Sequence, residues 1–173
     1  MQARLIRRVR TALTTWPTRR GWLLAGAVMA AALAVELAIG LVGGFLKPSS
    51  PDWSMLPGAL LLAVFVPALG EELVFRGLLT PGRDEGGNVW RAILPSTALF
   101  VGWHVFEALT FMPGAAHIFL RPDFLATTAV LGVACGLMRH RTGSFWPAVL
   151  LHWLEVAGWQ IWFGGGLAAK ALL

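Results

Sequence analysis

Long apolar runs alternate with short polar segments along most of this 173-residue chain. The first run covers residues 21–46 and is interrupted only by Glu36. Four more runs follow, at residues 55–79, 90–112, 124–138 and 145–164. A helix rises about 1.5 Å per residue, so about 20 apolar residues cross a bilayer. The pattern predicts an all-α class, a polytopic helical membrane bundle of about five transmembrane helices, in which the fourth run is short.

The composition agrees with a membrane protein. Hydrophobic residues make up 57% of the chain and charged residues 13%, with a mean hydropathy of +0.68, whereas soluble domains carry about 25% charged residues. The length predicts one domain. We expect a basic amphipathic segment at residues 1–20 and the bundle at residues 21–173. A cleavable signal peptide is the alternative for the first run, but that run exceeds the usual apolar length of about 7–15 residues.

The basic residues predict an orientation. With a cytoplasmic N-terminus, five spans place eleven basic residues inside: Arg4, Arg7, Arg8, Arg10, Arg19, Arg20, Arg76, Arg83, Arg91, Arg139 and Arg141. Three remain outside: Lys47, Arg121 and Lys170. This asymmetry follows the positive-inside rule, so the net charge of +5 does not call for nucleic-acid binding. We expect a multi-pass protein of the cell membrane, and the short loops and Arg-rich composition favour a bacterial inner membrane.

The N-terminal segment is amphipathic. One helical face carries apolar residues, namely Leu5, Ile6, Val9, Leu13 and Trp16, while arginines occupy the rest. This pattern predicts an interfacial helix that ends at Pro17. A disordered basic tail is the alternative.

Ionisable residues within the apolar runs are the candidates for chemistry, because a membrane makes them costly. They are Glu36, Glu71, Glu72, Arg76, His104, Glu107, His152 and Glu155. Their positions along the runs put Glu71, His104 and His152 about 10–17 Å below the inner surface, on three different helices. A shared site at one depth is therefore predicted for these three residues.

The stretch GEELVFRG contains two adjacent glutamates with different expected roles. Glu72 and Arg76 have the i, i+4 spacing of a helical ion pair. Glu71 points about 100° away on a helix and is left without that partner, which makes it a candidate general base. The alternative is that both glutamates and the arginine form one inert ion network between helices.

His104 lies on a helical stripe with Phe100 and Glu107. A carboxylate three residues further along is placed to orient the imidazole by accepting its second N–H. A lone histidine within a span usually makes interhelical hydrogen bonds. The presence of His152 on another helix, together with the spare carboxylate of Glu71, favours catalysis instead.

GxxxG at Gly132 and Gly136 in the fourth run allows another helix to approach closely. Packing within the bundle is favoured over dimerisation. The single cysteine, Cys135, is expected to be a small packing residue, because it has no partner for a disulfide or a CxxC pair.

Three ordered motifs carry a family resemblance. They are EExxxR at Glu71–Arg76, FxxxH at Phe100–His104 and the segment RTGSFWPAVLLHW, whose histidine is His152. With these motifs the chain resembles the CPBP intramembrane proteases over about residues 55–160. That family includes the CAAX prenyl endopeptidases (CAAX prenyl protease 2) and bacterial relatives linked to abortive infection or bacteriocin immunity.

The resemblance implies an intramembrane endopeptidase that hydrolyses a peptide bond of a membrane-associated protein substrate with an activated water. It implies that Glu71 is the general base, that His104 holds and polarises the water and that His152 stabilises the oxyanion. Supporting roles fall to Glu72, Arg76 and Phe100. The family has been described both as metal-dependent and as glutamate-type; we expect no cofactor, because no HExxH motif is present. Zinc bound by Glu71, His104 and His152 is the alternative.

One position departs from the family pattern. The last motif commonly reads HxxxN or HxxxD, and the residue four positions after His152 is Val156. Valine has no hydrogen-bond donor, and loss of one oxyanion donor costs about 10²–10³ in rate. The indoles of Trp103, Trp153 and Trp159 are candidate substitutes. The alternative function is a catalytically silent immunity or scaffold protein of the same fold.

Overall fold

The computed structural model describes residues 2–165, apart from the side chain of Ala59. Over these residues the chain forms helices and no strand. The α-helices are α1 (Gln2–Thr14), α2 (Arg19–Gly43), α3 (Leu56–Ala63), α4 (Trp90–Leu109), α5 (Ala116–Phe119), α6 (Pro122–Thr142) and α7 (Trp146–Trp162). The predicted all-α class is confirmed. Lys170 and the rest of the C-terminal tail lie outside the described residues.

The second apolar run is not an ordinary α-helix. After α3 it continues as two π-helical segments, Val64–Glu71 and Leu73–Leu78, with Pro67 inside the first. Proline has no N–H and collides with the carbonyl one turn earlier in an α-helix, and the wider π winding avoids that collision. Glu71 ends the first π-helical segment and Glu72 directly follows it. π-Helical turns are frequent at functional sites.

The helices form a membrane bundle. Within residues 2–165, three stretches are long and apolar enough to span a bilayer: Arg19–Gly43, Trp53–Glu85 and Trp90–Leu109. A fourth is added if the bent pair Pro113–Phe119 and Pro122–Thr142 is one span. Helix α6, which contains the fourth apolar run 124–138, is longer than that run, because it continues to a left-handed cap at Gly143 (φ 73°). With α7 only 17 residues long, the count of five spans stays a prediction.

Helix α6 lies at the centre of the bundle and packs against α2, α4 and α7. Its two glycines are where α4 comes closest: a Cβ atom on Gly132 would lie 2.8 Å from Cγ2 of Thr97, and one on Gly136 would lie 3.0 Å from Cγ1 of Ile93. The GxxxG motif therefore serves packing within the chain. Cys135 is buried in the same core.

The N-terminal segment is a helix that docks onto the bundle. The guanidinium of Arg8 lies 2.7 Å from the carboxylate of Glu85 and donates to the Leu78 carbonyl oxygen at 2.9 Å. Ala12 is buried beside Phe145. The interpretation as a disordered tail is wrong for this segment, whereas the division of the chain at residue 20 stays a prediction.

Candidate active site

The structure brings the three predicted catalytic residues to one cavity of about 490 Å³. Glu71 comes from the first π-helical segment, His104 from α4 and His152 from α7. Most of the other lining side chains are apolar. The shared position that the sequence predicts for these three side chains is therefore present, although their chemical roles stay predictions.

The two oxygens of Glu71 have different surroundings. Oε1 accepts a hydrogen bond from Nε1 of Trp103 at 3.3 Å. Oε2 has no hydrogen-bond partner among the described residues and lies 3.9 Å from Nε2 of His152. Trp103 is a candidate oxyanion donor by sequence, but its indole N–H is directed at Glu71 instead. The oxygen that remains available for a ligand is Oε2.

The imidazole of His104 is fixed by its own helix. Its Nδ1 atom lies 2.9 Å from the carbonyl oxygen of Phe100, so Nδ1 carries the proton and Nε2 has the lone pair. The expected orienting role of Glu107 is therefore wrong, because the backbone carbonyl one turn earlier takes that role. The rings of Phe100, Phe119 and Phe124 surround the imidazole, with centroids 4.8, 5.6 and 5.7 Å from it. The polar edge left for chemistry is Nε2.

Glu107 joins the site in a different role. One ligand atom from each of Glu71, His104 and Glu107 lies within 4.8 Å of the others. The metal ligands predicted from the sequence are Glu71, His104 and His152. Among the described residues, the structure instead groups Glu107 with Glu71 and His104. The helical spacing of His104 and Glu107 pointed to a shared face, but their convergence with Glu71 depends on how α4 packs. The three groups therefore offer ligand atoms that could hold a small cation.

His152 is held by a buried acid. Its Nδ1 atom lies 3.0 Å from Oε1 of Glu72, and the same oxygen lies 3.1 Å from Nη1 of Arg76. The expected i, i+4 ion pair is therefore present. Glu72 is more than a structural partner of Arg76, because it also accepts a hydrogen bond from Nδ1 of His152. This leaves Nε2 of His152 on the side of Glu71.

Arg76 completes the support of the site. Its guanidinium carbon lies 4.3 Å from the centre of the Phe100 ring, which is a cation–π geometry. Phe100 also contacts the rings of both His104 and His152. The supporting position predicted for Phe100 therefore has a physical basis, since one ring contacts both imidazoles and the buried cation.

Val156 also lines the cavity, next to Glu155 and one turn after His152. Its side chain presents only methyl groups where the family pattern has an amide or a carboxyl group. Among the other tryptophans that the sequence offers as donors, Trp159 lines the cavity. At this position the side chain therefore offers no hydrogen-bond donor.

A family model described as Type II CAAX prenyl endopeptidase Rce1-like matches residues 53–157. The matched region contains Glu71, Glu72, Arg76, His104 and His152. No curated protein and no solved structure matches the chain. The match confirms the resemblance to CPBP intramembrane proteases. Because it covers more than half of the 173 residues, the chain belongs to the Rce1-like family of type II CAAX prenyl endopeptidases.

Proposed function

We propose that this protein hydrolyses a peptide bond of a membrane-associated protein substrate with a water molecule that Glu71 and His104 activate. The observation that carries the proposal is the pair of free acceptors in one cavity. Oε2 of Glu71 has no partner among the described residues, and the bond from Nδ1 of His104 to Phe100 leaves Nε2 as an acceptor.

A water molecule between these acceptors donates one hydrogen to each of them. As the water oxygen attacks the substrate carbonyl, Glu71 takes a proton and later delivers it to the leaving amine. His104 holds the water in the attacking position. Trp103 keeps the Glu71 carboxylate in place through Oε1.

His152 is the proposed oxyanion donor. The Glu72 carboxylate accepts a hydrogen bond from Nδ1, and Nε2 lies on the Glu71 side, where it would donate to the oxyanion when it carries a proton. A donor placed at the developing oxyanion lowers the barrier more than the ground state. With Val156 apolar, this function falls mainly on His152.

Zinc is the alternative cofactor. Glu71, His104 and Glu107 supply the carboxylate and imidazole atoms that zinc prefers. Bound zinc would activate the water and polarise the carbonyl. We favour the glutamate-type reaction, in which the same three side chains hold a water molecule.

Val156 favours a second candidate, a catalytically silent immunity or scaffold protein of the same fold. Such a protein would keep the cavity and the buried Glu72–Arg76–His152 contacts but cleave nothing. Activity separates the two functions.

The test uses the purified chain in mixed micelles with synthetic transmembrane peptides of about 20 residues, and mass spectrometry identifies the products. We expect cleavage by the wild type and a loss of about 10²–10⁴-fold in Glu71→Gln. Asp84→Asn, which removes an acidic charge from an exposed residue of the short 3-10 helix Arg83–Glu85, is the matched control and should cleave at the wild-type rate. Cleavage by Glu71→Gln at that rate would contradict the mechanism, and intact peptides with every protein would favour the silent alternative.

A further inference from the structure

Two carboxyl groups of the cavity, one buried and one half-buried, have no role in the reaction described above. Glu36 comes from α2 and Glu155 from α7, and both line the cavity. Glu36 is 6% exposed, and neither of its carboxylate oxygens has a hydrogen-bond partner among the described residues. Oε1 of Glu155 is also buried without a partner. An ionised buried carboxylate without a partner is costly, so this pair requires either a shared proton or a positively charged ligand.

The two carboxyl groups are close neighbours. They lie within range of a side-chain hydrogen bond to each other. Two ionised carboxylates have no donor between them, so their proximity is stabilised only by a proton or by a positively charged group.

Among residues 2–165, no side chain supplies that positive charge. The residues that line the cavity include four glutamates and two histidines but no lysine or arginine. None of the ion pairs between described residues includes Glu36 or Glu155. The nearby Arg76 is paired with Glu72 and stacked on Phe100. The described lining of the cavity is therefore complementary to a positively charged group.

The carboxyl pair lies close to the proposed reaction centre. Glu155 follows His152 by three residues on α7, which is about 4.5 Å along the helix axis. An extended peptide advances about 3.3–3.6 Å per residue. A side chain bound by the pair therefore belongs to a residue near the bond that is cleaved.

We propose that Glu36 and Glu155 form an acidic subsite that binds a positively charged side chain, lysine or arginine, of the peptide substrate beside the cleaved bond. This inference rests on the proposed peptidase function. The apolar side chains of Leu33 and Leu37 line the cavity next to Glu36 and suit the methylene groups of such a side chain. The carboxylates then form charge-assisted hydrogen bonds with its end.

The test compares two synthetic transmembrane peptides that differ at one central position, which is lysine in one and the uncharged, similarly shaped norleucine in the other. Binding to the purified protein in mixed micelles is followed by fluorescence anisotropy, and cleavage is followed by mass spectrometry. We expect the wild type to bind the lysine peptide roughly ten- to a hundredfold more tightly. Glu36→Gln and Glu155→Gln should lose most of this preference and keep their affinity for the norleucine peptide.

The controls separate the subsite from the peptidase function. Glu71→Gln should keep the lysine preference in binding while it cleaves neither peptide, and Asp84→Asn should match the wild type in both measurements. Thermal unfolding of each variant checks that the fold is intact. Equal binding of both peptides by the wild type, or an unchanged preference in both Glu36→Gln and Glu155→Gln, overturns the subsite. Lysine-selective binding without any cleavage supports the subsite and contradicts the peptidase function.

Discussion

The Nδ1 atom of His152 lies 3.0 Å from Oε1 of Glu72, and Arg76 contacts that same oxygen at 3.1 Å. Glu72 is fully buried and connects the π-helical segment to α7. A carboxylate that accepts from one imidazole nitrogen fixes which way the other nitrogen points. The second glutamate of the EExxxR motif is therefore a positioning residue for His152 as well as the ion-pair partner of Arg76.

The first prediction concerns this contact. Glu72→Gln keeps the shape of the side chain but removes the charge that holds the Nδ1 proton of His152, so we expect kcat to fall roughly 10- to 100-fold with a smaller change in KM. Steady-state cleavage of a peptide that the wild type cleaves measures both constants. A pH profile of kcat that moves in Glu72→Gln would indicate a role through His152. Wild-type kcat with an unmoved profile would make Glu72 purely structural.

The second prediction concerns stability. Arg76→Ala leaves Glu72 as a buried carboxylate without its cation and removes the contact with Phe100, so the free energy of unfolding should fall by about 3–5 kcal/mol. Unfolding in detergent measures this change. The double variant Arg76→Ala with Glu72→Gln removes the stranded charge and should recover part of the loss. No recovery in the double variant would mean that packing against Phe100, rather than the ion pair, carries the effect.

The third prediction concerns the contact between α6 and α4. Gly132→Ala puts a Cβ atom 2.8 Å from Cγ2 of Thr97, and such overpacking costs about 1–3 kcal/mol of stability. Gly102→Ala is the matched control, because nothing lies within 4 Å of its added Cβ atom on α4. That control should be neutral or stabilising by up to about 1 kcal/mol, since alanine favours the helix. Equal stability of the two variants in thermal unfolding would contradict the close approach.

Features set by local spacing could be predicted from the sequence, and features set by packing could not. The apolar runs predicted the helices, and the i, i+4 spacing predicted the pair of Glu72 and Arg76. The π-helical winding around Pro67 could not be predicted, because the hydrophobic pattern of that run carries no signal for it. The carbonyl of Phe100 could not be identified as the partner of His104, because a backbone acceptor leaves no sequence signal.

The same limit applies to the cavity walls. Glu36, Glu107 and Glu155 stood out in the sequence as charges inside apolar runs, which is a signal of function. Which of them meet was not predictable, because Glu36 reaches Glu155 only through the packing of α2 beside α7, and Glu107 reaches Glu71 only through the packing of α4.

The fourth prediction concerns orientation in the membrane. The eleven-to-three distribution of basic residues predicts a cytoplasmic N-terminus, and five spans place the C-terminus on the opposite side. Reporters that are active on only one side of the membrane, fused to each terminus in turn, measure this directly. Both termini on one side would mean an even number of spans, as would follow if the bent pair Pro113–Phe119 and Pro122–Thr142 forms one span and α7 does not cross.

The fifth prediction separates water activation by glutamate from metal chemistry. Nitrogen and oxygen ligands lie about 2.0–2.2 Å from a bound zinc ion. One atom each from Glu71, His104 and Glu107 would therefore have to close around a single point. A water molecule held by Glu71 and His104 requires only hydrogen-bond distances of about 2.6–3.2 Å and does not need Glu107. We therefore expect less than stoichiometric metal in the purified protein, cleavage that persists after chelation, and a modest effect of Glu107→Gln. Stoichiometric zinc, cleavage lost with the chelator and restored by zinc, and metal loss in Glu107→Gln would together replace the glutamate-type mechanism with a metal site. Metal loss in a His152→Asn variant, with Glu107→Gln still loaded, would instead point to the ligand set that the sequence alone suggests.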